Sequence, residues 1–592
     1  MAAYAPPLDD MRFALNEIAG LAEVARLPGY EAAEPALVDH ILEQAGRFAA
    51  GVLAPLNQSG DQEGSILENG VVRTPKGFAE AYRAFVAGGW NSVPFDPEHG
   101  GQGLPWLVQT ALSEMWASAN MSFSLCPMLN GGALDLLSHH GSAEQKRLYL
   151  GRMISGEWTG TMNLTEPQAG TDLGALRTKA VRDGAAYRIT GQKIFITFGE
   201  HDMAANIVHM VLARTPEAPA GTRGISLFIV PKYLVNADGS LGQRNDVRCV
   251  SIEHKLGIHA SPTCVLAYGD SGGATGYLVG EENRGIEYMF TMMNNERIGV
   301  GIQGLGVAER AYQQARDFAR TRVQSRAIEG SPGPVPIIRH PDVRRMLISM
   351  KSQSEAMRAV AYQTAAWLDR ARRHAAPDER ARAQALVDLL VPVVKAWCSD
   401  TAVEIASTGI QVHGGMGFIE ETGAAQHLRD ARITPIYEGT NGIQANDLLG
   451  RKIARDGGVA AKTFLSEVRR AADQLAADDG AAIGQSLHAG AAALAEATDW
   501  VVATYGSDVR TAAVGAVPYL RLFGVVAGGW AMARGATAAK RQLADANGKS
   551  GFLEGKLVTA RFFADHVLSQ APSLVAQVTN GSAALALAEE QF

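Results

Sequence analysis

The period of the hydrophobic pattern changes twice along the chain, and this restricts the available folds more than any other feature. From Asp9 to about Gly156 apolar residues recur at three- and four-residue spacing, as in Glu34 to Ala54 and Phe78 to Gly89, which predicts helices. The Gly- and Pro-rich stretch Val93 to Pro105 predicts a structured loop among them. Between about Glu157 and Gly285 short runs rich in β-branched and aromatic residues take over. They are Tyr187 to Thr190, Lys193 to Thr197, Ile207 to Ala213, Ile225 to Val230 and Cys264 to Tyr268, with Asp183-Gly184 and Asp238-Gly239 as turns. Helical spacing returns at Ile286 and persists to Ile453, with long amphipathic stretches from Arg297 to Arg322 and from Val343 to Arg373. From about Arg455 the chain is Ala-rich and helical, with breaks expected at Gly506-Ser507 and Asn547-Gly548. The expected class is α+β multidomain. Residues 1–156 form an N-terminal helical domain, with 1–35 as an extension; 157–285 form a middle β domain, 286–453 a helical bundle and 454–592 an additional C-terminal helical domain.

With 592 residues, two to four packed units are expected. Charged residues are 19% of the chain and the net charge is -7, which argues against a dedicated nucleic-acid binder. Residues 455–592 alone carry twelve basic and thirteen acidic side chains, so no basic surface is concentrated there. Cys126, Cys249, Cys264 and Cys398 lie far apart with no CxxC, which predicts neither a disulfide framework nor a zinc site and fits a reducing, cytoplasmic compartment. The N-terminus lacks the basic and apolar blocks of a secretory signal. In the apolar stretch Thr511 to Ala533, Pro518 and Arg521 leave uncharged runs too short for a membrane span, so a soluble protein is expected.

Two glycine motifs invite other readings. Gly299-Val300-Gly301-Ile302-Gln303-Gly304 matches G-x-G-x-x-G, yet a helical pattern precedes it and no acidic residue follows about 20 positions on. Close helix packing is the better account. Gly269-Asp270-Ser271-Gly272-Gly273 resembles a nucleophile elbow, which makes a serine hydrolase using Ser271 the alternative from a different class. Because no helix pattern follows it, a turn closing the β domain is favoured. His139-His140 lacks partners for a metal, and no metal site is expected.

Three further segments converge on one chemistry. Met162 to Asp172, MNLTEPQAGTD, offers hydroxyls, small residues and backbone N–H groups that suit a flavin and its phosphates, although a polar turn would read the same way. In Gly191 to Thr197, GQKIFIT, strand alternation puts Phe195 and Thr197 on one face, an aromatic and a hydroxyl suited to an isoalloxazine ring. The third is Gln411 to Phe418, QVHGGMGF, followed by Arg432 to Asn441, RITPIYEGTN. Taken together, T-E-P-x-A-G-T-D, G-x-K-x-F-I-T, Q-V-H-G-G-x-G and I-Y-E-G-T-N resemble the acyl-CoA dehydrogenase family over about residues 80 to 453.

The resemblance implies helical, β and four-helix-bundle domains in that order, and FAD as cofactor. Met162, Leu164, Thr165, Gly170, Thr171, Phe195, Ile196 and Thr197 would contact the flavin and its ribityl chain, and Thr440 and Asn441 would lie near the adenosine phosphates. Arg322 and Gln324, with Gln411, Gly414 and Gly415, would hold the FAD of a neighbouring subunit, which implies a homodimer. Ser325-Arg326 stands where the family usually has an aromatic and Gly, and Phe195 replaces a common Trp. Glu438 is assigned as the base that removes the α-proton of the thioester, its backbone N–H and a ribityl hydroxyl binding the thioester oxygen while the β-hydrogen leaves as hydride. Thr171, Asn294, Arg297, Tyr437 and Gly439 are the candidate substrate contacts, and Glu296 is the rival base.

The N-terminal Tyr4 to Phe13, the segment Arg339 to Met346 and the helical extension resemble a larger bacterial branch of the family. The branch implies 3-(methylthio)propanoyl-CoA or another short to medium acyl-CoA as substrate. An electron-transferring flavoprotein would be the acceptor, with a general fatty acyl-CoA dehydrogenase or an oxidase on the same fold as alternatives.

Overall fold

The computed structural model describes residues 4–475, 480–545 and 550–592; the expected break at Asn547-Gly548 lies outside them. The chain divides into two compact units, one of Met1–Gly46, Pro105–Ser118 and Val300–Phe592, the other of Arg47–Leu104 and Ala119–Gly299.

The second unit holds the strands. A hairpin of β1 (Ile66–Glu68) and β2 (Val71–Arg73) interrupts the region expected to be helical. Asn69 and Gly70 both have positive φ, 51° and 77°, the conformation a two-residue hairpin turn demands, and Asn-Gly is its strongest sequence signal. The larger sheet contains β3 (Trp158–Asn163), β4 (Lys179–Asp183), β5 (Ala186–Thr197), β6 (Asn206–Ala213) and β7 (Ser226–Pro231). After a short pair, β8 (Tyr233–Val235) and β9 (Leu241–Arg244), it is completed by β10 (Val247–Ile252), β11 (Thr263–Tyr268) and β12 (Ala274–Leu278). Strand order is β10-β11-β5-β12-β7-β6-β3, with β4 also on β5; β3 and β6 run parallel and the other pairs antiparallel. β6, β7 and β11 are buried along their whole length, hence their largely apolar runs, with His209 of β6 as a buried polar exception. The 269–273 turn joins β11 to β12, and the Ser271 N–H donates to Asp246 at 2.7 Å. A strand follows that serine, not the helix a nucleophile elbow needs.

The glycine motif 299–304 lies inside one helix, Gly285–Thr321. A Cβ on Gly301 would come 2.8 Å from the Val394 carbonyl oxygen, and one on Gly304 2.9 Å from that of Cys398, so these glycines let the helix pack closely on the Pro377–His413 helix. The Pro341–Arg373 helix packs beside it. Arg358 on that helix is buried with Glu114 and Glu309, at 2.6 and 2.9 Å, and the Tyr362 hydroxyl donates to Glu114 at 2.6 Å. The C-terminal helices Val459–Asp473, Ala481–Tyr505, Ala516–Ala544 and Ser550–His566 belong to the same compact unit, with the break after Tyr505 where it was expected.

Ala516–Ala544 corrects one expectation. It runs unbroken through Pro518 and Arg521 and is, by length and composition, long and apolar enough to cross a membrane. Pro518 lies in its first turn, where a missing N–H is tolerated, and 83% of the apolar window is buried inside the fold, as in a core helix. Gly524 and Gly528 form a groove for Trp397 of the 377–413 helix; a Cβ on Gly524 would lie 2.3 Å from the Trp397 ring. Trp367 and Trp530 stack at 5.7 Å. The N-terminal segment closes on the same helices: Lys556 pairs with Asp10, Phe13 meets Phe552 at 5.9 Å, and Arg534 donates to the Ile18 carbonyl at 2.7 Å.

Candidate active site

In the second unit, the candidate residues from Met162 to Thr171 leave the end of β3 and are anchored by buried polar groups. Tyr268 donates to Asn163 at 2.9 Å, and Asn163 to the Thr161 hydroxyl at 2.8 Å, which pairs with His209 at 2.8 Å. Burial holds His209 down at about 3, so the imidazole is neutral. Downstream, the Lys193 ammonium donates to the Leu164 carbonyl at 2.9 Å and to Glu166 at 2.8 Å. Glu166 also accepts from Arg177 N, Thr178 N, the Thr178 hydroxyl and Gln168. Burial alone would raise the Glu166 carboxyl; the Lys193 charge and these donors outweigh it and hold it at about 2. Burial lowers Lys193 to about 8 against the pull of Glu166, so the pair is ionised at neutral pH. Gly170 and Thr171 are exposed beyond the clamp, while Leu164 is buried and Met162 and Thr165 are partly covered.

Phe195 departs from simple alternation. Leu266 pairs with Lys193 but Cys264 pairs with Ile196, so β5 carries an extra residue there, and Phe195 takes φ 60°. The bulge turns odd-numbered residues from the buried side, Lys193, to the accessible side, Phe195 and Thr197, while Ile196 turns inward. Phe195 is therefore 58% exposed despite being a large apolar residue on a strand. Left-handed backbone at an aromatic costs roughly 1–3 kcal/mol and collects at functional positions.

Glu296 lies in the same unit, fully buried on the 285–321 helix; a Cβ on Gly132 would come 2.3 Å from its carboxylate oxygen. Arg297 is buried and donates to the exposed Asn294 at 3.3 Å. His139 is hydrogen-bonded to the Asp135 carbonyl and His140 to Thr291, ordinary satisfied histidines.

In the first unit, Glu438 sits half-buried on a turn with φ 57°, followed by Gly439 at φ 81°. The Tyr437 hydroxyl donates to Gln303, and the Gln444 amide donates to the Glu438 and Gly439 carbonyls, both at 3.2 Å. Thr440 caps the Asn441–Asn446 helix, its hydroxyl accepting from Ile443 N at 3.3 Å. The Asn441 side chain turns toward the 377–413 helix. Its oxygen accepts from Lys395 at 2.8 Å and from Ser399, and its NH2 donates to Ala396 O, Ser399 and Asp400. These bonds use the whole amide on the 377–413 helix. The Lys395 ammonium also donates to Gly439 O at 2.8 Å. Neither Lys193 nor Lys395 was singled out as a site residue from sequence, since a lone lysine in a strand or helix ordinarily reads as solvated.

Arg322 and Gln324 follow the end of the 285–321 helix, exposed, with the Arg322 guanidinium donating to Gln324 at 3.4 Å. Gln411, Gly414 and Gly415 are exposed at the end of the 377–413 helix, where Phe318 stacks on His413 at 4.5 Å. Gly414 has φ 58°, and beyond each glycine and its chain neighbours no atom lies within 4 Å of a Cβ built on Gly414 or Gly415, a bare backbone surface suited to a close-lying polar ligand.

Comparison with known proteins agrees with this layout. Models of the acyl-CoA dehydrogenase N-terminal, middle and C-terminal domains match residues 38–157, 161–271 and 283–453, and an acetyl-CoA dehydrogenase C-terminal-like model matches 464–588. The chain is 51% identical over 581 residues to 3-methylmercaptopropionyl-CoA dehydrogenase of Ruegeria pomeroyi, covering 98% of each. It is 34% identical to the broad-specificity linear acyl-CoA dehydrogenase FadE5 of Mycobacterium tuberculosis, over 96% of each. Among solved structures, Caenorhabditis elegans ACDH-11 in complex with C11-CoA superposes with TM-score 0.76 at 22% identity, covering 96% of this chain and 93% of that one. An acyl-CoA dehydrogenase of Bacillus anthracis complexed with FAD gives 0.74 at 21% identity, covering 96% and 91%. The chain belongs to the acyl-CoA dehydrogenase family.

Proposed function

We propose that the protein oxidises an acyl-CoA thioester to the trans-2-enoyl-CoA, with FAD as electron acceptor and Glu438 as the base. The observation that carries the base assignment is the Glu438 turn: a half-buried carboxylate on left-handed backbone, fastened on its C-terminal side by Lys395, Asn441 and Gln444. The residues present fit the cofactor: in the second unit an exposed, strained Phe195 beside Thr197 and a clamped Leu164–Glu166 segment, and in the first, bare glycine backbone at 414–415 suited to the FAD of a neighbouring subunit. FAD, when bound, supplies the two-electron sink that accepts the β-hydrogen as hydride. Glu438 takes the α-proton, and its backbone N–H is the donor assigned to the thioester oxygen as enolate-like charge builds there. Phe195, Ile196, Thr197 and Met162 to Thr171 are the proposed flavin contacts, and Tyr437 and Gly439 lie next to the base in sequence as substrate contacts. Glu296 is the less favoured base; it packs against Gly132 on its own helical neighbour.

The preferred substrate is 3-(methylthio)propanoyl-CoA or a short to medium acyl-CoA of similar length, supported by 51% identity across almost the whole of the Ruegeria relative. A homodimer is supported by the exposed apolar residues Val323, Ile328, Met416, Phe418 and Ile419 beside the polar candidates Arg322, Gln324 and Gln411. An electron-transferring flavoprotein is the proposed acceptor, and the four buried, free cysteines suit a reducing cytoplasm.

The test is anaerobic flavin bleaching by an acyl-CoA panel. Glu438→Gln should lower the rate about 10²- to 10⁴-fold, the usual worth of a positioned base, while Glu296→Gln keeps most activity. Full activity in Glu438→Gln, or its loss only in Glu296→Gln, refutes the assignment.

A further inference from the structure

We propose that Lys395 is the positioning residue of the Glu438 turn, locking the base in its left-handed conformation so that its carboxylate stays aimed. The inference rests on Glu438 being the base, and goes beyond it by naming what holds that base in place.

Lys395 lies within the 377–413 helix between the buried Val394 and Trp397, and its residue surface is 0% exposed. An ammonium withdrawn from water costs several kcal/mol unless strong acceptors replace the solvent. Two of those acceptors are Gly439 O and Asn441 Oδ1, both at 2.8 Å, the first and third residues after Glu438. The following residues of the helix add Ala396 O, Ser399 and Asp400 as partners of the Asn441 amide. One stretch of helix, 395–400, therefore grips 439–441 through both backbone and side chain.

The grip matters because of the residue just before it. A non-glycine residue at φ 57° is strained and persists only where its surroundings over-determine it. Freed of the Gly439 anchor, Glu438 relaxes toward ordinary backbone angles, and that rotation re-aims its Cα–Cβ bond. Gln444 supplies a second, neutral hold on the Glu438 and Gly439 carbonyls, so removing Lys395 should loosen the turn without unravelling it. A misplacement of about 1 Å at a reacting group costs on the order of 10²-fold in rate.

The experiment uses the full-length, FAD-loaded protein in four forms: wild type, Lys395→Met, Glu438→Gln and the double variant. Single-turnover flavin bleaching is measured with ordinary and α-deuterated acyl-CoA. Lys395→Met should lower the bleaching rate per bound FAD by roughly 10²-fold with little change in KM, and should raise the α-deuterium isotope effect because proton removal becomes slower. In the Glu438→Gln background it should cost nothing further, since no base remains to aim. Asn441→Ala, which leaves the ammonium but removes its side-chain partner, should show the same rate-confined loss and serves if Lys395→Met does not fold. A bleaching rate within twofold of wild type in either folded variant, an unchanged isotope effect, or equal losses in both backgrounds overturns the inference. Full activity in Glu438→Gln overturns it together with the base assignment; an inactive Glu438→Gln beside a normal Lys395→Met overturns the inference alone.

Discussion

Lys193→Met removes the cation that ties β5 to the Leu164–Glu166 segment. In the native protein both partners are dry, with side-chain exposures of 0% for Lys193 and 4% for Glu166. The variant leaves Glu166 buried with its hydrogen bonds from Arg177, Thr178 and Gln168 but without Lys193. Deleting one member of a buried pair costs about 3–5 kcal/mol, and the surviving donors place this case near the lower end. The Glu166 carboxyl is held at about 2 against an ordinary 4.5, so its ionised form is favoured in the folded state. Because the folded value is the lower one, the unfolded chain binds the extra proton. The contribution is complete above about pH 4.5 and is lost as pH falls from there through about 2.

Native-state hydrogen exchange of the Lys193–Thr197 amides measures this locally, without requiring the whole chain to unfold in one step. Lys193→Met should lower the protection free energy of these amides by about 3 kcal/mol at pH 7, with a smaller deficit at pH 4. The double variant Lys193→Met, Glu166→Leu carries no orphaned charge and should recover most of the loss. Protection in Lys193→Met within about 0.5 kcal/mol of wild type, or a deficit independent of pH between 5 and 3, would refute the reasoning.

Two further perturbations follow from the geometry. Phe195→Gly relieves backbone at φ 60° while giving up a side chain that is already 58% exposed, so it should leave the stability of the cofactor-free protein unchanged or raise it by up to about 1 kcal/mol. FAD affinity should fall in the same variant, and titration with FAD alongside denaturant melts checks both. Gly524→Ala places a methyl 2.3 Å from the Trp397 ring in a packed groove and should cost about 1–3 kcal/mol, read as a drop in thermal midpoint; no change would show that the groove can widen freely.

The order of helices and strands was legible from hydrophobic period, and the β6, β7 and β11 runs stand out as largely apolar stretches, broken in β6 by His209. The β1–β2 hairpin was missed because its strands are three residues each, too short for a period to register, although Asn69-Gly70 was a usable turn signal. Ala516–Ala544 was underestimated because Pro518 and Arg521 were treated as interruptions, whereas both fit inside a helix. At the candidate site, Glu438 and Phe195 were found as residues within motifs, while their positive φ was not foreseeable: nothing about Glu or Phe favours left-handed backbone. Lys193, Lys395 and the inward turn of Asn441 depend on which groups the fold brings together across 27 and 46 residues of sequence, and no local pattern records that. The shift of facing at Phe195 arises from one extra residue in β5, which strict alternation cannot anticipate.

The 377–413 helix serves two masters. Within three residues it presents Lys395 to the Glu438 turn and Trp397 to the groove at Gly524 and Gly528. The C-terminal helices are thus the back wall of the element that carries the anchor proposed for the base, and family members of shorter length cannot be imitated here by trimming the tail. A chain cut after the bundle would bare Trp397 and Trp367 to water and release the wall behind Lys395, so heat that melts the tail should silence proton abstraction at the same temperature, as one event.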